Sequence, residues 1–86
     1  MNSNELERVP TLQELREQAK LTQEQLSRQM NVGLRIVTDW EQGRKTPSLK
    51  NFFALAKTLR VSPKKLAISL GLDVSSVPDD LGGEAS

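Results

Sequence analysis

Residues 23–42 read Gln-Glu-Gln-Leu-Ser-Arg-Gln-Met-Asn-Val-Gly-Leu-Arg-Ile-Val-Thr-Asp-Trp-Glu-Gln. Leu26 and Met30 are four apart, and Val37 and Trp40 are three apart, which is the spacing of one apolar face on each of two short helices. Between them Asn31-Val32-Gly33 marks a tight turn, because Asn and Gly accept a positive φ at low steric cost. Ser27 is the small residue expected where the two helices touch, and Val32 is expected to plug the turn. The joint occurrence of these features at fixed offsets is far more specific than any one of them.

Outward from this stretch the same punctuation recurs. Thr11 precedes Leu12, Leu15 and Ala19 at helical spacing and has Glu14 three residues on, which predicts a capped first helix. Thr22 caps the second helix, and the third stops at Gly43. Thr46-Pro47 is expected to cap and open a fourth helix with the stripe Leu49, Phe52, Ala56 and Leu59, widened by Phe53 and Leu55. Ser62-Pro63 repeats the device for a fifth helix, which carries Leu66 and Leu70 and ends at Gly71. No stretch alternates with period two, so the fold class is all-α: a compact five-helix domain over residues 11–71. Residues 1–10 read as a flexible head and residues 72–86, with Ser75-Ser76, Pro78, Asp79-Asp80 and Gly82-Gly83, as a flexible, disordered acidic tail.

Composition narrows the function. The chain has 86 residues, enough for one domain and too few for a deep substrate cavity beside a core. It contains no cysteine and no histidine, which excludes disulfide or metal stapling in the usual forms, catalysis by His or Cys, and a histidine pH switch. No cofactor and no metal site is expected, and the apolar runs are too short for a membrane span or signal peptide. The net charge of +1 hides an uneven distribution. Residues 11–71 carry eleven Lys and Arg against five Asp and Glu, while residues 72–86 carry four acids and no base. A basic body with an acidic end suits a polyanion-binding domain with a solvated tail.

Residues 12–70 resemble the helix-turn-helix family of phage repressors and Cro proteins, also called the xenobiotic-response-element family. The resemblance rests on the central stretch and on Leu15-Arg16, Leu21-Thr22-Gln23-Glu24-Gln25-Leu26, Trp40-Glu41-Gln42-Gly43, Thr46-Pro47-Ser48-Leu49, and Leu59-Arg60-Val61-Ser62 leading to Leu66. It implies a lambda-repressor-like five-helix bundle whose second and third helices read double-stranded DNA. Two departures stand out: Asn31 occupies a turn position usually held by Gly, and Gly33 one usually held by Ser or Thr, which removes a side-chain cap.

The resemblance further implies an Arg16–Glu41 pair tying the first helix to the third. It places Leu34, Arg35, Thr38 and Asp39 outward in the major groove as base-contacting residues. Arg35 is the foremost, since a guanidinium bonds bidentately to guanine O6 and N7. Gln23, Gly33, Gln42, Arg44, Lys45, Thr46 and Lys50 are the expected phosphate-contacting positions, giving affinity and register without reading sequence. Trp40 and the Phe52-Phe53 pair are read as core, and Lys64 and Lys65 as solvated. The implied function is a cytoplasmic, prokaryotic or phage transcriptional repressor that binds an inverted repeat as a homodimer. The fifth helix is the expected dimer surface, because apolar positions Leu66, Ile68 and Leu70 leave one of them outward. The alternative is a protein-binding module, such as an antitoxin that neutralises a toxin, docking through Leu34 and Ile36 or the acidic tail; an anti-repressor is a further conceivable protein partner. No catalytic signature is present, and no small-molecule substrate is expected.

Overall fold

The structure, a computed structural model, describes residues 9–72. The expected head and tail therefore lie outside the described residues, apart from Val9, Pro10 and Leu72. Among the described residues there are five helices and no strand: α1 (Leu12–Gln18), α2 (Gln23–Met30), α3 (Leu34–Glu41), α4 (Leu49–Leu59) and α5 (Pro63–Ser69). None is long and apolar enough to cross a membrane.

The helix starts follow from capping chemistry. Thr11 Oγ1 accepts the Glu14 amide at 3.1 Å and Glu14 Oε1 accepts the Thr11 amide at 2.9 Å, so two otherwise orphaned donors are satisfied reciprocally. Thr22 and Gln25 make the same reciprocal pair at 3.0 and 2.8 Å. Asn31 closes α2 in the left-handed conformation, φ 57° and ψ 44°, as its residue type predicts. Ser62 caps α5 through the Lys65 amide at 3.0 Å, with Pro63 in the first turn.

The start of α4 differs from expectation. Its cap is Ser48, whose Oγ accepts the Asn51 amide at 3.2 Å, while Thr46 is an exposed loop residue and Pro47 is buried ahead of the helix. The reason lies upstream. The Asp39 carbonyl accepts the amides of Arg44 (2.9 Å) and Lys45 (3.3 Å), folding the loop back and delaying the restart by two residues.

Leu12, Leu15, Leu26, Val37, Trp40, Leu55, Ala56, Leu59 and Leu66 form the core. Ala19, Leu21, Met30, Val32, Ile36, Phe52, Val61 and Leu70 pack around it. α2 packs on α3 and α4, α5 on α4, and α1 on α3. Ser27 is buried with its hydroxyl donated to the Glu24 carbonyl at 2.8 Å, so the packed side of α2 carries a small polar residue without an unmet donor.

Three expectations about apolar residues change. Phe53 is 41% exposed and is not core; it meets Phe52 edge-on, with ring centroids 5.3 Å apart. Phe52, Leu55, Ala56 and Leu59 already fill the inward stripe of α4, and Phe53 stands one position off it. Leu49 is on that stripe by spacing but is 73% exposed, because the first turn of α4 extends past the core. Ile36 packs against the core, so it does not form a surface pair with Leu34.

Candidate nucleic-acid interface

The geometry of α3 is fixed by an ionic junction at its far end. Arg16 on α1 donates from Nε to Glu41 Oε2 at 2.5 Å and from Nη2 to Oε1 at 3.4 Å. Its Nη1 reaches the Leu21 carbonyl at 2.8 Å. Both side chains are buried, at 10% and 5% exposure. Gln23 Nε2 donates to the same Glu41 Oε1 at 2.9 Å. One carboxylate thus binds α1, α2 and α3 together, and the pair expected from sequence is present with an added partner. Gln23 is half-buried in that junction, where one of its two amide N–H groups is held by Glu41.

With its inner face locked by Val37 and Trp40, α3 turns Leu34 and Arg35 to solvent, Leu34 at 43% exposure. Thr38 lies one turn on and is half-buried, its hydroxyl donated to the Leu34 carbonyl at 3.1 Å. Gly33, the N-cap, supplies no side-chain bond. Asp39 does not point outward with these residues. It is 5% exposed, and its Oδ1 accepts Arg44 Nε at 2.9 Å. Its burial and its bond to Arg44 hold Asp39 in the scaffold at the end of α3.

The loop after α3 carries the remaining expected contacts. Gln42 and Arg44 are exposed, with the Gln42 Oε1 accepting from Arg44 Nη1. Lys45 and Thr46 follow on the exposed loop, and Lys50 stands exposed in the first turn of α4. Arg44 is therefore partly engaged, though its side chain is still 53% exposed, while Lys45 and Lys50 have no side-chain partner among the described residues. The bridging role of Gln23 and the Asp39–Arg44 clasp were missed at the level of sequence; the five-residue separation across Gly43 is the one signal for the clasp. No group of three or more His, Cys, Asp or Glu able to hold a metal occurs among the described residues.

A short helix, a left-handed Asn turn and a second helix with an exposed Arg in its first turn define a helix-turn-helix domain, with a basic loop alongside. A family model described as helix-turn-helix matches residues 12–66, 55 of the 86 positions, and the chain belongs to that family, the repressor and Cro-like class of DNA-binding regulators. Searches of curated proteins and of solved structures give no match.

Proposed function

We propose that the protein is a sequence-specific repressor that acts in the cytoplasm and binds an inverted repeat as a homodimer, with α3 in the major groove. The observation that carries this reading is the exposed first turn of α3, Leu34 and Arg35, on a helix followed by an exposed cationic loop at Arg44 and Lys45. Arg35 reads a guanine, Leu34 meets a thymine methyl, and Thr38 contributes at the groove edge. Lys45, Thr46, Lys50 and the backbone at Gly33 contact phosphates, with Gln42 and the free part of Arg44 beside them. Leu66 is fully buried and Leu70 packs against the core, so of the three apolar positions expected at the dimer surface only Ile68 is exposed. Ile68, with the exposed Leu72 just past the helix end, supplies the dimer face. Two-fold symmetry then places the two α3 helices about 34 Å apart, one turn of B-DNA. The protein-module reading loses its motivating pair, since Ile36 is packed inward.

Selection from random duplex DNA by the purified protein, followed by a salt titration of the enriched pool, tests the reading. An inverted repeat with half-sites about 10 base pairs apart, and log affinity falling linearly in log salt, is the expected result. A pool with no enriched sequence overturns it and directs attention to a protein partner.

A further inference from the structure

Apart from glycine, the described backbone is left-handed at three residues: Lys20 (φ 65°), Asn31 (φ 57°) and Arg60 (φ 62°). Asn tolerates this conformation, and elsewhere the chain uses glycine for it, at Gly43 and Gly71. Lys and Arg there carry a steric penalty that glycine does not. Both of these cations border the same cleft, ≈ 500 Å³, between the end of α1, the end of α4 and the start of α5. Its accessible apolar lining is the half-buried Ala19, Leu21 and Val61, and Lys65 adds a third cation.

Helix stability does not explain the three. A cation near a helix C-terminus is favourable, which accounts for the sign of charge at positions 20 and 60 but not for the absence of glycine. Lys65 stands in the first turn of α5, the end where a cation is unfavourable. All three are exposed, and among the described residues no carboxylate pairs with them. The cleft shares no residue with α3 or the loop after it.

We propose that this cleft is a docking site for an acidic, partly apolar segment, and that its occupant is residues 73–86 of the same chain. That stretch, Asp-Val-Ser-Ser-Val-Pro-Asp-Asp-Leu-Gly-Gly-Glu-Ala-Ser, pairs Val74, Val77 and Leu81 with Asp79, Asp80 and Glu84. Its chemistry complements an apolar floor under a tricationic rim. Reach is ample. Fourteen extended residues span roughly 46 Å, whereas α5 carries the chain only about 10 Å from Lys65 to Leu72. Attachment to the same chain gives an effective concentration of about millimolar, so weak contacts suffice.

The chain lacks cysteine, so Ser76→Cys in the full chain takes a single nitroxide whose effect on backbone amides is read by NMR. The expected result is selective broadening at residues 18–21 and 58–61. It falls by roughly half or more in 1 M salt, and equally in the Lys20→Gln/Arg60→Gln/Lys65→Gln variant. In the Asp79→Asn/Asp80→Asn/Glu84→Gln variant the broadening is expected to be lost while the amide spectrum of residues 9–72 stays dispersed, which separates loss of docking from unfolding. Broadening confined to residues 66–72, broadening centred on Arg35 and Lys45, or an unchanged pattern in the charge variants overturns the proposal.

Discussion

Arg44 Nε donates to Asp39 Oδ1 at 2.9 Å across the turn that ends α3, and the two residues are unequally buried, with side-chain exposures of 53% and 7%. The clasp fixes where the loop begins, because the amides of Arg44 and Lys45 close on the Asp39 carbonyl as well. Arg44→Ala leaves a buried carboxylate without its partner. Since the guanidinium is half in solvent, the expected loss is about 1–2 kcal/mol, well short of a fully buried pair. A double-mutant cycle with Asp39→Asn, followed by urea unfolding, checks it; a coupling near zero would mean the clasp is not energetically meaningful.

The Arg16–Glu41 junction is of a different order, because both side chains are withdrawn from water. Arg16→Ala or Glu41→Ala strands a buried charge and is expected to cost about 3–5 kcal/mol, comparable to the whole stability of so small a domain. Either variant should be largely unfolded at 37 °C by circular dichroism. Arg16→Met combined with Glu41→Leu removes both charges and is expected to fold better than either single variant.

Gly33 has φ −71° and ψ 154°, a conformation open to any residue, and a Cβ there meets nothing within 4 Å. Gly33→Ser restores a side-chain N-cap to α3 and removes backbone freedom from the unfolded chain. The expected gain is roughly 0.5–1 kcal/mol, or a rise of a few degrees in Tm. A fall in Tm in a thermal scan would count against this account of the cap.

Arg35 and Lys45 are expected to fail in different ways. Arg35→Ala relaxes specificity at one base position by about 1–3 kcal/mol while affinity for other sequences changes little. Lys45→Ala weakens all duplexes alike and lowers the slope of log affinity against log salt by about 0.9. Titration of each variant against the selected repeat and against a scrambled duplex separates the two roles.

Ile68 is 37% exposed on α5, so part of its side chain is open to solvent. Ile68→Lys places a cation near a helix C-terminus, so monomer stability is expected to stay within about 0.5 kcal/mol. Sedimentation equilibrium should show the variant as a monomer at concentrations where the parent chain is a dimer. A parent that is monomeric throughout removes the α5 surface from the reading.

The sequence disclosed what short-range chemistry decides. Thr11, Thr22, Asn31 and Ser62 mark helix ends because a cap or a left-handed turn is a property of a few adjacent residues. Thr46 misleads for the same reason. It and Ser48 are both good caps around Pro47, and the choice between them is made by hydrogen bonds from Asp39, several residues upstream. Asp39 itself looks like an outward residue beside Arg35 until Arg44 folds back on it. Phe53 and Leu49 show the limit of periodicity. The pattern gives an angle around α4 but not how far along the helix the core extends.

The outward residues of α3 make few contacts that the fold requires, whereas Glu41 at its end is tied to two other helices. Solvent-facing side chains and structural ones are thereby separated on a single eight-residue helix. On the proposed reading of α3, a lineage carrying this chain would be able to rewrite its preferred duplex by exchanging residues such as Leu34 and Arg35, with little effect on whether the protein folds.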